Sequence, residues 1–275
     1  MGVEPLPLGG YKITMTMQTH LPRRTRNGAP CFRCSATALV LAAALYTGLA
    51  VPAPAVAQTQ TSGGALPEPW RVVTINERIK PTQYQAATVD GVVAFEAQAD
   101  GSMALLARPL EVDLNATPVL CWRWRVERVL EKADMATKAG DDYAARVYVA
   151  FALPPEAMSF GVRTQLRLGR TIFGDLLPDA ALNYVWDNRY PVGTEKPNAY
   201  TDRTRMVVLQ SGPEGVGRWV TERRDVRADV VRAFGTDRAR PTLLAVAADT
   251  DNTGERARSA FADLQFVAAD APCPF

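Results

Sequence analysis

The chain has 275 residues, with 31 basic and 29 acidic side chains and a single histidine, His20. The slight positive excess sits entirely in the first 57 residues, where Lys12 and four arginines face Glu4, so the remainder is slightly acidic. That excludes the basic stripe a nucleic-acid surface shows, and no apolar run after residue 57 approaches the ~18 residues of a membrane helix.

In chain order the first element is an export signal over residues 1–57. Arg23, Arg24, Arg26 and Arg33 precede an apolar run from Ala36 to Val51, and Ala55-Val56-Ala57 stands before Gln58. Basic flank, short apolar run and small-x-small triplet are the features signal peptidase reads. The residues after Arg23-Arg24 lack the apolar pair of twin-arginine signals, so the expected route is the Sec pathway and the expected location periplasmic or secreted. Cys31 and Cys34 leave with the leader, as does His20. A chain starting at Gln58 has no histidine, which excludes Ser-His-Asp and Cys-His catalysis and histidine-ligated metals. Cys121 and Cys273 remain, and an oxidising compartment could join them.

Residues 58–68 are rich in Gln, Thr, Ser, Gly and Pro and read as a flexible linker. Residues 69–270 then read as one all-β domain. Val93-Phe95-Ala97, Leu120-Trp122-Trp124-Val126, Val147-Val149-Phe151 and Ala260-Ala262-Leu264-Phe266 each occupy alternate positions, the pattern of half-buried strands. Further strands are expected at 181–186, 203–210, 217–226 and 242–248, divided by Asp90-Gly91, Asp100-Gly101, Ser211-Gly212-Pro213 and Asn252-Thr253-Gly254. Four-residue spacing of Met158, Val162 and Leu166, then Leu168, Ile172 and Leu176, predicts a helical insertion over about 155–177. A short helix is expected at 227–235. Many short antiparallel strands with little helix predict a two-sheet antiparallel β-sandwich of jelly-roll type.

Four constellations could carry function. Arg123 and Arg125 share one strand side, and Arg146 and Tyr148 share the side of theirs opposite the apolar residues. With Asn183, Arg203 and Trp186 nearby, they would make a concave surface whose guanidinium forks and rings suit an acidic carbohydrate. The ordinary alternative is a solvated sheet face with cross-strand ion pairs. The segment from Asp249 to Glu255 places oxygen side chains at alternating positions like the start of a calcium loop. The twelfth position is Ala260, which rules out an EF-hand and leaves a calcium ion on Asp249 and Asp251, or an Asx-stabilised turn. Asp141 and Asp142 open a strand and either fix a loop or join that ion. Tyr184, Trp186, Tyr190 and Tyr200 span a loop that is a binding lip or a stapled connection.

The functional expectation is an exported, ligand-binding sandwich rather than an enzyme, with a glycan as partner. The rival is a glycoside hydrolase or polysaccharide lyase, with Asp142 and either Asp202 or Asp251 as the carboxyl pair, or Tyr148 or Tyr184 as base. A third class is a structural or assembly protein of the cell envelope, marked by a large exposed apolar patch.

Several motifs in series carry a resemblance. They are 117–126 around Trp122-Arg123-Trp124-Arg125, 140–149 around Gly140-Asp141-Asp142-Tyr143, Leu182-Asn183-Tyr184-Val185-Trp186, Tyr200-Thr201-Asp202-Arg203, 207–212, and the segment from Asp249 to Glu255. In this order they resemble the exported bacterial proteins of domain of unknown function family 3047, over about residues 70–267. The resemblance implies a single-domain secreted protein and supplies no catalytic residues. The family pattern does not have cysteine at position 121, which speaks against a disulfide common to the family.

Overall fold

The computed structural model describes residues 64–173 and 177–275. The expected leader, with His20, Cys31 and Cys34, lies outside the described residues, and so does the linker before residue 64.

In chain order the strands are β1 (Arg71–Val73), β2 (Gln83–Val89), β3 (Val92–Asp100), β4 (Leu105–Pro109), β5 (Val119–Val126), β6 (Tyr143–Ala152), β7 (Ala180–Asp187), β8 (Glu195–Pro197), β9 (Thr204–Ser211), β10 (Val220–Asp225), β11 (Arg240–Asp249) and β12 (Arg256–Val267). Helix α1 (Phe160–Phe173) lies between β6 and β7, and α2 (Val226–Phe234) between β10 and β11. The strands form a seven-stranded sheet, β1-β4-β11-β6-β7-β9-β8, and a five-stranded sheet, β10-β5-β12-β3-β2. Pairing is antiparallel except between β7 and β9. The fold is the expected all-β sandwich with a helical insertion.

Local chemistry sets the elements. Asp90 and Gly91 both take positive φ and close the β2–β3 hairpin in two residues, the geometry an Asp-Gly turn favours. The Asp225 carboxylate caps α2 by accepting from Ala228 N at 2.8 Å, and Gly235 ends the helix at φ 69°. Ser159 Oγ accepts from Val162 N at the start of α1.

Side chains of both sheets interlock between the layers. Trp122 and Trp124 from β5 meet Tyr184 and Trp186 from β7, with Trp122–Tyr184 and Trp124–Trp186 ring centroids 5.5 and 5.8 Å apart. Phe151, Leu182, Val147, Leu244 and Phe261 complete this core. A buried ion cluster ties α2 to it: Asp229 accepts from Tyr184 Oη at 2.8 Å and from Arg224, and also pairs with Arg232. Cys121 and Cys273 form a disulfide that fastens the C-terminal tail to β5.

Two features depart from the expected pattern. Strands β1, β2, β4 and β8 carry no clear alternation, being short or, in β2, built of Gln, Ala and Thr. In β12 the inward face is that of Ser259 and Phe261, whereas Ala260 and Ala262 face outward. Pairing with β5 shifts between Ala262 and Gln265, where Asp263 takes φ 56°. This bulge reverses the alternation, so Leu264 and Phe266 again pack on the core.

Candidate functional site

The expected arginine–aromatic surface is divided between opposite sides of the sandwich. In β5 the inward positions are taken by Trp122 and Trp124, so Arg123 and Arg125 point out from the five-stranded sheet. There Arg123 pairs with Asp263 and lies over the Trp219 and Phe275 rings, and Arg125 binds Asp90. In β6 the inward positions are Val147, Val149 and Phe151, so Arg146 and Tyr148 point out from the seven-stranded sheet. Alternation is strand by strand and does not say which sheet a strand joins. Trp186 faces the core, 2% exposed, and its Nε1 donates to Gly212 O, so it cannot stack on a ligand outside. Arg203 lies before β9 and donates through Nε to Asp179 O at 2.7 Å.

The outer face of the seven-stranded sheet does bring Arg146, Tyr148 and Asn183 together. Tyr148 and Asn183 are cross-strand partners, and Arg146 lies opposite Val185 on β7 and Ala247 on β11. The parallel neighbour of Asn183 on β9 is Met206. These polar residues form a strip between two apolar clusters. On one side Leu105, Ala107, Ala245 and Ala247 pack under Met103, Leu243 and the Tyr148 ring. On the other side stand Met135, Val185, Met206 and Val208 with Tyr190.

The strip is buried and incompletely paired. Arg146 is 7% and Asn183 2% exposed. Arg146 Nη2 meets Asp249 Oδ2 at 2.8 Å, yet Arg146 Nε, Asn183 Oδ1 and Asp249 Oδ1 are buried without hydrogen-bond partners. Burial by itself would lower the Arg146 pKa, but Asp249 and Asp141 outweigh it and hold the guanidinium charged. Burial raises the Tyr148 pKa against a hydrogen bond with Thr204, so its hydroxyl stays protonated. An unpaired buried polar group costs about 1–3 kcal/mol, which makes three in one strip a feature that calls for a partner.

At one end the strip runs into four carboxylates. The approach is fixed by Gly140, whose carbonyl accepts from Asp134 N at 2.7 Å and Asp142 N at 2.8 Å. A Cβ at 140 would stand 2.6 Å from Asp134 N, so this turn requires glycine. The side chains of Asp141 and Asp142 then take different partners. Asp141 accepts from Asn198 Nδ2 at 2.9 Å and from Tyr143 Oη at 3.2 Å. Asp142 is fully buried and accepts from Asn252 Nδ2, Asn252 N and Thr253 N, holding the β11–β12 loop. One oxygen each of Asp142, Asp249 and Asp251 lie within 4.8 Å of one another. Burial pushes the carboxyls of Asp249, Asp251 and Asp141 above the ordinary range, Asp142 adding to the effect in each case.

Of the carboxyl partners expected for Asp142, Asp251 lies in the same cluster and Asp202 does not. Asp142 has both oxygens engaged by loop amides with no exposure, and Asp202 is exposed on the turn before β9. Of the loop tyrosines, Tyr190 and Tyr200 are stapled down, Tyr190 Oη donating to Asp134 and Tyr200 Oη to Lys138 O. A groove of about 640 Å³ between β1 and β2 is lined by Val72, Lys80, Tyr84 and Gln83, and by none of the residues singled out from sequence. Gln85 and Gln98 also line it and donate to Glu96.

Glu222 was not visible as special. It lies on β10 between exposed Thr221 and Arg223. Its Oε1 accepts from Trp124 Nε1 at 3.2 Å and Gln210 Nε2 at 2.7 Å, linking the edges of the two sheets. Burial pushes its carboxyl up to about 7, against those two hydrogen bonds and Arg224. A polar strand, VTERRD, gives no alternation from which to read this.

A family model described as "Protein of unknown function (DUF3047)" matches residues 68–265. The chain belongs to this family. Comparison of this family member with curated protein sequences gave no match. Among solved structures it is similar to the xyloglucanase domain of NopAA, a type three effector from Sinorhizobium fredii in complex with cellobiose. Identity is 9% over 72% of this chain and 92% of that chain, with a TM-score of 0.37. It is also similar to Trichoderma harzianum endoglucanase 3 from family GH12, at 7% identity over 74% of this chain and 100% of that one, with a TM-score of 0.35.

Proposed function

We propose that this protein is an exported carbohydrate-binding sandwich that holds a hydroxyl-rich ligand on the outer face of its seven-stranded sheet, at Arg146, Tyr148 and Asn183. The observation behind this reading is the buried polar strip with an unpaired donor, Arg146 Nε, and an unpaired acceptor, Asn183 Oδ1. A sugar hydroxyl both donates and accepts, so a pair of neighbouring hydroxyls matches such a set, and the Tyr148 ring offers an apolar surface beside it. These atoms are closed to solvent, with the Tyr148 ring the partly exposed part of the strip, so a ligand reaches them only when the residues packed over the strip move aside, a cost set against binding.

The expectation of an acidic carbohydrate drew on several converging guanidinium groups. One remains here, and its charge is already met by Asp249, with Asp141, Asp142 and Asp251 close by. The ligand proposed is therefore uncharged. Export is supported by the leader pattern and by the Cys121–Cys273 pairing, which suits an oxidising compartment. The hydrolase reading is less favoured because Asp142, common to both expected carboxyl pairs, is fully buried with both oxygens held by loop amides. The envelope-scaffold reading finds exposed Ile75, Val93, Phe160 and Val192 on separate elements.

The test is a glycan array of neutral, uronate and sulfated oligosaccharides, followed by titration of the best hit against wild type and Tyr148→Ala. Selective binding of a neutral glycan, weakened tenfold or more by Tyr148→Ala, supports the reading. Absence of any hit, or equal binding by the variant, overturns it.

A further inference from the structure

We propose that Asp142, Asp249 and Asp251 form a calcium site where the β11–β12 loop meets the start of β6, beside the proposed carbohydrate face. Three carboxylate oxygens from two separate parts of the chain lie within 4.8 Å of one another. Calcium binds oxygens at ~2.3–2.6 Å, so two ligands on opposite sides of one ion stand about 4.6–5.2 Å apart. The cluster lies within that reach.

A second observation points to a ligand. Asp249 is 1% exposed, its Oδ2 is held by Arg146, and its Oδ1 is buried with no hydrogen-bond partner. The fold has removed this oxygen from water and provided nothing in return. Water cannot fill the need cheaply, because a neutral molecule leaves the repulsion among three carboxylates in place. A divalent cation answers both, pairing the orphaned oxygen and offsetting the charge that Arg146 alone leaves uncompensated.

The three ligands are unequal. Asp142 is fixed by the amides of Asn252 and Thr253, and Asp249 by Arg146 and its place at the end of β11. These two are preformed. Asp251 is half-buried on the loop and serves as the closing ligand. The ion would thus tie the loop to β6 and add to the counter-charge that Arg146 supplies to Asp249. The site stands whether or not a carbohydrate binds next to it.

Protein stripped with EDTA is assayed by thermal melting and by terbium luminescence, with calcium chloride and magnesium chloride in parallel and no carbohydrate present. Calcium at a hundredfold excess over its Kd is expected to raise Tm by roughly 5–10 °C, with magnesium clearly weaker. Asp251→Asn keeps the fold and the buried partners of Asp142 and Asp249. Its metal-free Tm should equal or exceed that of wild type while its calcium affinity falls tenfold or more. No calcium-dependent shift and no terbium signal in wild type would overturn the proposal, as would undiminished calcium binding by Asp251→Asn.

Discussion

Glu222→Gln should remove one defined share of the stability the fold is expected to lose between about pH 4.5 and pH 7, the rest falling to other buried carboxyls such as Asp249. The Glu222 carboxyl is pushed up to about 7 from an ordinary 4.5, by burial that two hydrogen bonds and Arg224 do not offset. A folded state that holds its proton more tightly than the unfolded chain is stabilised by it at low pH. That stability is whole below about pH 4.5 and fades as pH rises through about 7. At ~1.4 kcal/mol per pH unit, the span corresponds to at most about 3 kcal/mol, or roughly 6–12 °C in Tm for a domain of this size. Glutamine keeps an oxygen for Trp124 Nε1 and Gln210 Nε2 and cannot ionise. Melting curves of the two proteins at half-unit steps from pH 4 to 8 should lie together at pH 4, separate progressively from about pH 4.5 and run parallel above about pH 7, the variant being the more stable. If wild type and Glu222→Gln fall in parallel across the whole range, the carboxyl is not desolvated as the structure implies.

Other consequences follow from the core and the tail. Asp229→Ala leaves Arg224, Arg232 and the Tyr184 hydroxyl without their shared carboxylate. The arginines left behind are partly solvated, so the unfolding free energy should fall by about 1–3 kcal/mol, mostly from the orphaned buried Tyr184 hydroxyl, read from the urea midpoint. Cys121→Ser with Cys273→Ser opens a loop spanning 152 residues. The chain-entropy model gives up to about 5 kcal/mol for such a loop, and a non-reducing mass measurement on wild type should show no free thiol at either position.

The layered fold was legible because β5 and β6 alternate apolar with polar residues, and alternation reports strands directly even where, as in β6 and β7, the outward flank is buried too. The grouping of their outward residues was not. Arg123 and Arg146 have the same local signature, and only long-range pairing sends β5 to one sheet and β6 to the other. Trp186 misled for a related reason: a tryptophan beside a loop reads as a lip, whereas its position on β7 places it against Trp124. In β12 the alternation itself breaks at Asp263, a bulge no composition signals. Asp142 and the 249–255 loop were visible as acidic motifs more than 100 residues apart, and their convergence is a property of the β6–β11 pairing.

The most direct measurement of the central claim is calorimetric titration of the best neutral glycan into wild type, Asn183→Leu and the double variant Arg123→Ala with Arg125→Ala. Asn183 is buried with an unpaired oxygen, so leucine should keep or raise the melting temperature. The account predicts at least tenfold weaker binding by Asn183→Leu and wild-type affinity for the double variant. Full affinity in Asn183→Leu, or its loss in the double variant, would place the ligand elsewhere and contradict the account.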